Sequence, residues 1–581
     1  MGQTVTYTRD PHGRITVKNS DGDETRYTYD PAGRLATATT LESELVLQHD
    51  AMGRLCIEMH AGRILAFDRD ALGRPVRRTT PSGSVTSYAY DTAGNRISLD
   101  IDGHTLDSTY DAAGRETQRH IDTALIWANE WDLAGRLLSR TVTADGITGD
   151  PRAATHPHAT VVQEQSYEYR ADGYLLGMGD RLNGSRRFRL DRVGRVTQVT
   201  GENWTETYAY DATGNLTQAA WPASHGESAA GEREFSGTRV LRAGRWTYLH
   251  DEAGRVVERR KTRLSRKPDL WRYAWDAEDR LTSCTTPDGV VWTYRYDPLG
   301  RRSAKQRLDA SGAVVEETVF TWDGTQVIEQ STEQGAGDGS GHGSPSGERT
   351  RAVALTWEYD GLTPVAQAER IVEADSQRTV DARFFAIITD LVGTPTELVA
   401  PDGSLAWRTR STLWGTTAVA RGSTAHTPLR HPGQYADPET GLHYNLHRHY
   451  DPATARYASP DPLGLEPAPN PVAWVTNPHV WVDPLGLKCE PGDGDASKYE
   501  DITKPGARML NKLTDVGPRE FGENLEANGW TRTDKGPNIM YEKDGARYFL
   551  RGKANSYEGW TADYYSPGSK KADIKIRLGE E

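Results

Sequence analysis

A six-residue phrase recurs from Asp10 to Asp297 and restricts the kind of fold this chain can adopt. An often aromatic residue is followed by Asp, two variable residues, Gly and Arg. The phrase reads RDPHGR, YDPAGR, HDAMGR, RDALGR, YDTAGN, YDAAGR and WDLAGR, with aspartates at Asp10, Asp30, Asp50, Asp70, Asp91, Asp111 and Asp132, a period of 20 to 21 residues. It returns after longer insertions at Asp191, Asp211, Asp251, Asp276 and Asp297. A fixed period of this length marks an array of small units, each too small to bury a core without its neighbours.

Each unit reads as a hairpin. Tyr27 and Tyr29 stand two apart before Asp30, on one face of a strand, and RLATATT alternates again after the turn. Asp accepts hydrogen bonds from turn amides and Gly33 supplies a positive φ, which gives the turn a mechanism. Two strands of about seven residues, at about 3.3 Å per residue, plus the turn fill the period. One hairpin is unstable alone, so neighbours must add edge to edge into a long, spiralling sheet. A dozen identical roles read as architecture, which is preferred here over carbohydrate binding by the tyrosines.

Composition agrees. The chain has 57 Gly, 26 Tyr and 16 Trp but only 8 Phe, which suits short strands and turns. Its net charge of −13 argues against the body as a nucleic-acid binder. Cys56, Cys284 and Cys489 are scattered without paired spacing, so neither a disulfide framework nor a Cys-based zinc site is expected, and no metal or cofactor is assigned. No signal peptide is recognisable at MGQTVTYTRD, and no run approaches a membrane span. The Gly/Ser-rich stretch Thr332 to Arg349 is expected to be an exposed loop interrupting the array.

These repeats resemble the YD repeats of Rhs, WapA and teneurin-type proteins, whose sheets spiral into a hollow shell. WEYDGLTPVAQ near Tyr359, TDLVGTPTELV near Gly393, and the block from Pro428 to Leu465, PLRHPGQYADPETGLHYNLHRHYDPATARYASPDPLGL, resemble the late core segments of that family. The block departs from the family pattern at His431, Pro432 and His449. The expected fold is therefore mainly β: a YD-repeat antiparallel shell over residues 1–427, a core-associated self-cleavage segment over 428–487, and a small α+β domain over 488–581.

Asp461-Pro462-Leu463-Gly464 recurs as Asp483-Pro484-Leu485-Gly486, followed by Leu487. Singly, each D-P-L-G is a turn. Paired after the core block, they resemble the aspartyl autoprotease of Rhs proteins, which implies cleavage between Leu487 and Lys488. Two close carboxylates share a proton, so one serves as general base and the other as acid. Arg430 is a candidate to orient a carboxylate.

After Lys488 the repeat stops. Arg508 to Leu513 and Pro518 to Asn528 read as helices, and WTRTD, NIMYEK, ARYFLR, WTADYYS and ADIKIRL as strands of a four- or five-stranded sheet with a turn at Lys543-Asp544-Gly545. No His follows His479, which disfavours His-based nucleases and zinc deaminases. Trp530 to Leu578 holds ten Lys and Arg against six Asp and Glu, with Tyr541, Tyr548, Tyr557, Trp560, Tyr564 and Tyr565 interleaved. Cations to hold phosphates and aromatic faces to stack bases favour an RNA substrate, tRNA included. In outline the segment is similar to barnase, colicin-type and RelE-like ribonucleases. Lys535, Arg547 and Arg551 are the candidates for phosphate and transition-state charge, Glu558 or Asp563 for general base, and Tyr557 for stacking or acid.

The resemblance implies a toxin delivered by a secretion apparatus, acting in the target-cell cytoplasm and paired with a cognate immunity protein. Two other readings compete. An ADP-ribosyltransferase would use Arg551, Ser556 and Glu558. A structural or adhesive YD protein would need no processing.

Overall fold

The computed structural model describes residues 4–132, 134–144, 160–170, 173–225, 228–334, 351–373, 379–468, 470–491, 499–501, 510–514, 517–527, 530–543, 545–552, 559–565, 567–572 and 574–579. Among them, thirty-six strands from Val5–Arg9 to Thr417–Val419 form one sheet. Each strand pairs antiparallel with the next, as in Val5–Arg9 with Ile15–Ser20 and Leu405–Ser411 with Thr417–Val419. The chain is a meander wound into a coil.

The repeat phrase explains the meander. At Asp30, Oδ1 accepts the amides of Ala32 and Arg34 at 2.9 and 3.0 Å, and Gly33 turns the chain at φ 84°. Arg34 Nε donates to Asp30 Oδ2 at 2.6 Å, closing the turn from outside. The register slips between Thr28 and Tyr29, a bulge that adds twist before the turn.

The same residues also join one hairpin to the next. Nη1 of Arg54 donates to the Asp70 carbonyl at 2.7 Å, and that of Arg115 to the Asp132 carbonyl at 3.0 Å. Tyr29 and Tyr110 hydroxyls reach back to the carbonyls of Ile15 and Arg96 at 2.7 and 2.8 Å, while Arg14 lies 4.7 Å over the Tyr29 ring. At about 1 kcal/mol for each such hydrogen bond, repetition makes the staple a substantial part of array stability.

Successive turns of the coil meet through buried polar pairs. Arg301 Nη2 donates to Glu58 at 2.6 Å across 243 residues, Arg140 to the Thr389 carbonyl at 3.1 Å across 249, and Asn183 to Glu397 at 3.1 Å across 214. Arg78 pairs with Glu358 in the same way. Such contacts fix the register of one turn on the next, because a slip would bury unpaired charge.

A second, four-stranded sheet follows: Tyr435–Asp437, Leu442–Asn445, Arg448–Asp451 and Arg456–Tyr457. Tyr450, Tyr457 and Trp474 join the cluster of the middle repeats, and Tyr435 and Tyr444 that of the late repeats. His431 and His449, where the block departs from the family pattern, are buried rings: His431 packs 4.6 Å from Trp474, and His449 lies edge-on to Trp275 at 5.7 Å. Burial holds both imidazoles neutral, at about 4 and about 3.

In the tail a seven-stranded sheet packs on the helix Pro518–Ala527 through Phe521 and Leu525, against Tyr541, Tyr548, Leu550, Ala562, Ile576 and Leu578. The tail is α+β, as expected, but its first expected helix is a strand. Leu510–Thr514 pairs parallel with Ile574–Arg577, so a partner some sixty residues on overrides local helix preference. The stretch expected as a loop, Thr332 to Arg349, is strand at its first three residues, within Gln326–Gln334; residues 335–350 lie outside the described set.

Candidate self-cleavage site

Asp461 and Asp483 meet on one guanidinium. Arg448 Nη2 lies 2.8 Å from Asp461 Oδ2 and 3.3 Å from Asp483 Oδ2, and all three side chains are buried. The turns hold the carboxylates as their sequence dictates. Leu463 N–H donates to Asp461 Oδ1 at 2.8 Å, and Leu487 N–H to Asp483 Oδ1 at 2.8 Å. Gly486, at φ 69°, lets the chain pass so close to Asn445 that a Cβ would lie 2.5 Å from its carbonyl oxygen.

The Leu487 carbonyl faces the same cation. Arg448 Nη2 lies 3.4 Å from Leu487 O, its Nε donates to the Gly486 carbonyl, and its Nη1 donates to Pro471 O at 3.2 Å. A guanidinium so placed can stabilise negative charge developing on the Leu487 oxygen. Leu487 is half-buried and Lys488 exposed, so the intervening bond lies at the edge of the site. Beyond it, Glu490–Pro491 pairs antiparallel with Trp481–Val482. Burial pushes the Asp461 carboxyl above its ordinary range; Arg448 and the Leu463 amide oppose the rise, and the Asp483 charge adds to it.

Arg430 stands elsewhere. Its Nη1 donates to the carbonyls of Thr427 and Leu429 at 2.9 and 2.7 Å, and burial pulls its guanidinium down to about 10. The cation on both carboxylates is Arg448, followed by Tyr457, which donates to Asp483 Oδ2 at 2.7 Å.

In the tail, directly paired residues share a face of the sheet. One cross-strand row runs Lys535, Asn538, Arg551, Thr561, Arg577, and the next runs Thr533, Met540, Phe549, Asp563, Lys575. Arg547 and Tyr565 form a third pair on that face, 4.8 Å from guanidinium to ring. Lys535, Arg547 and Arg551 therefore lie together, on the face opposite the helix. Asp563 is buried between cations: Arg551 ion-pairs with it, and Lys575 Nζ lies 3.9 Å from Oδ1. Burial, and then the charges of Arg551 and Arg577, hold the Lys575 ammonium below its usual range. Tyr557, Glu558 and Ser556 lie outside the described residues. Of the interleaved aromatics, Tyr541 and Tyr548 are core residues, and Trp560 and Tyr564 pack against them, so they are not a stacking surface.

The RHS Repeat family model matches residues 10–45, 69–105 and 275–314. "Probable deoxyribonuclease RhsB" of Dickeya dadantii is 31% identical over 418 residues, which cover 71% of this chain and 26% of that protein. The chain belongs to the RHS-repeat family. "Double-stranded DNA deaminase toxin A" of Burkholderia cenocepacia is 34% identical over 337 residues, 56% of this RHS-repeat chain and 22% of the relative. "Toxin protein Tse5" of Pseudomonas aeruginosa is 29% identical over 478 residues, 69% of this chain and 36% of the relative. The chain thus spans about a quarter to a third of the length of these relatives. Among solved structures, "Crystal Structure of TcdB2-TccC3-Cdc42" aligns over 84% of this chain and 31% of that chain at 16% identity, with a TM-score of 0.40.

Sequence reasoning on this RHS-repeat chain passed over Arg448, Tyr457 and Asn445. Arg448 did carry a signal: it is a cation inside the otherwise aromatic and His-rich run HYNLHRHYD, whose strands are buried throughout. A charge in such a strand needs a partner.

Proposed function

We propose that this chain is a self-cleaving toxin in which Asp461 and Asp483 hydrolyse the Leu487–Lys488 bond, freeing residues 488–581 to act on RNA. The observation that carries the first part is the position of Arg448, against both carboxylates and the Leu487 carbonyl at once. Burial and the neighbouring Asp483 charge favour a proton on Asp461 against the pull of Arg448, and a pair of carboxyls that shares one proton is the arrangement needed to activate water and protonate an amide. Arg430 has no place in this reading. The toxin role is supported by relatives named as toxins. A cognate immunity protein and a delivery apparatus belong to the same proposal, as does action inside the target cell.

Asp461→Asn and Asp483→Asn test the dyad. The parent chain is expected to give two bands on a denaturing gel, and each variant one band of 64 kDa; full processing of both variants would sink the dyad. Mass spectrometry of the fragment locates the cut, which should leave Lys488 as the new N-terminus.

For the tail, the cationic face supports phosphate binding, and the absence of His after His479 supports a cation-based RNA cleavage over His-dependent chemistry. Two relatives are named for DNA substrates, which favours DNA as the second reading. Incubating the processed protein with RNA, with DNA and with NAD separates the cases. RNA loss alone is the expected result. DNA loss or deamination with intact RNA would replace the proposed substrate, and NAD loss alone would indicate an ADP-ribosyltransferase.

A further inference from the structure

The two carboxylates of the dyad are not equivalent, and the difference traces to Tyr457 and Asn445. The Tyr457 hydroxyl donates to Asp483 Oδ2 at 2.7 Å. Asn445 Nδ2 donates to that same hydroxyl oxygen at 2.8 Å, and to the Asp483 main-chain carbonyl at 2.7 Å. With its oxygen engaged by Asn445, the phenol has its proton committed to Asp483. Its ring is fixed as well: the Arg448 guanidinium lies 3.7 Å over the Tyr457 centroid, and both residues are buried.

Asp483 is consequently surrounded by donors. Oδ2 faces the Tyr457 hydroxyl and Arg448, and Oδ1 accepts the Leu487 amide. Both lone-pair directions of Oδ2 are thus taken by donors, which leaves only Oδ1 with room for a proton. Asp461 has one donor at each oxygen, the Leu463 amide and Arg448, and keeps lone-pair directions for a proton.

We infer that Tyr457 is a positioning residue that, braced by Asn445, assigns the roles in the dyad, keeping Asp483 as the base and leaving the shared proton on Asp461. The inference rests on the self-cleavage reading. In the first step, Asp483 takes a proton from water as its oxygen bonds to the Leu487 carbonyl carbon, and Asp461 gives its proton to the carbonyl oxygen. In the second, Asp483 passes its proton to the Lys488 nitrogen, the C–N bond breaks, and Asp461 recovers a proton from the diol. One water is consumed, and the pair ends with the single proton it began with. The phenol never ionises: burial, then the Asp483 charge, hold it well above its ordinary range.

The test is a time course of cell-free synthesis of the full chain, chased at pH values from 5 to 9, for the parent and Tyr457→Phe. Phe keeps the ring beneath Arg448 and removes only the hydroxyl. Processing by Tyr457→Phe is expected to slow by up to about tenfold on the acidic side, with the acidic limb of its pH profile moved upward by about one pH unit and the parent rate approached above that limb. Equal slowing at every pH, or no change at all, overturns the assignment while leaving self-cleavage intact. A parent chain that is never processed, or one still processed after both aspartates are replaced, removes the underlying reading instead. Asn445→Leu, which frees the phenol oxygen, is the second arm should Tyr457→Phe fail to fold. It is expected to shift the limb in the same direction, and an unmoved limb overturns the proposal.

Discussion

Arg302 and Asp437 form an ion pair with no solvent exposure on either side chain, Nη1 to Oδ2 at 2.6 Å. Four aromatic rings enclose the guanidinium, Tyr444 at 4.2 Å, Phe320 at 4.7 Å, Tyr435 at 5.0 Å and Tyr294 at 5.7 Å. Lys305 adds a second cation 3.2 Å from Asp437 Oδ1. The pair fastens the small four-stranded sheet to the repeats. Asp437 ends the first strand of the small sheet whose third strand carries Arg448.

Arg302→Ala should therefore damage the site from a distance. Removing Arg302 leaves Asp437 with Lys305 as its remaining cation and opens a cavity among the rings that enclosed the guanidinium, at a cost of about 3 kcal/mol. The melting temperature is expected to fall by several degrees and processing to be largely lost, although Arg302 touches neither aspartate of the dyad. An unchanged melt with complete processing would show that the small sheet holds itself in place.

Gly433 sits beneath the second D-P-L-G turn, at φ 80°, where an added Cβ would lie 2.0 Å from the Pro484 carbonyl oxygen. Gly433→Ala must displace Pro484, and with it the neighbouring Asp483. Processing is expected to slow more than tenfold. Gly13→Ala is the matched control: its φ is 83°, but nothing lies within 4 Å of the new methyl. It should lose only the roughly 1 kcal/mol of left-handed backbone strain and be processed normally. Equal processing of the two variants, read on the same gel, would remove the geometric argument.

The hairpin turns were legible because Asp and Gly act within four residues of each other. Their second role was not, since Arg54 reaches the Asp70 carbonyl only once neighbouring hairpins have stacked. The dyad was legible as two D-P-L-G turns, yet its cation lies thirty-five residues before Asp483 and acquires a role only through strand pairing. Arg430, closer to the family phrase, attracted the assignment and turned out to face carbonyls. In the tail, alternation located the strands from Thr531 onward, but composition could not assign faces. Tyr541 and Tyr548 therefore read as a binding surface until Phe521 covered them.

Glu397 makes part of the contact between turns of the coil titratable. It is fully buried, and burial, then the Asp180 charge, push its carboxyl up to about 7, opposed by hydrogen bonds from Thr396, Asn183 and Gln163. The folded value lies above the unfolded one, so the folded chain holds the extra proton between about pH 4.5 and pH 7. Stability is consequently lost as pH rises through that window, by about 3 kcal/mol at most. Glu397→Gln should melt higher than the parent at pH 8 and equal it near pH 4.5. A difference that does not change with pH would mean that Glu397 does not titrate in this range.

The row Lys535, Asn538, Arg551, Thr561, Arg577 gives the tail a cationic face whose use can be read from salt dependence. Each cation that neutralises a phosphate contributes about 0.7 to the slope of log affinity against log salt for a single strand. Replacing Lys535 and Arg547 together by Gln in the processed protein is expected to weaken RNA binding more than tenfold at low salt and to reduce the slope by about 1.4. Arg532 supplies the contrast: it pairs with Tyr541, on the helix side of the sheet, and its guanidinium already lies 3.1 Å from Asp534. Arg532→Gln should leave the slope unchanged. If Arg532→Gln lowers the slope while the double variant does not, the nucleic acid lies on the helix side, and Arg551, buried Asp563 and Lys575 are a structural ion cluster rather than part of the reacting surface.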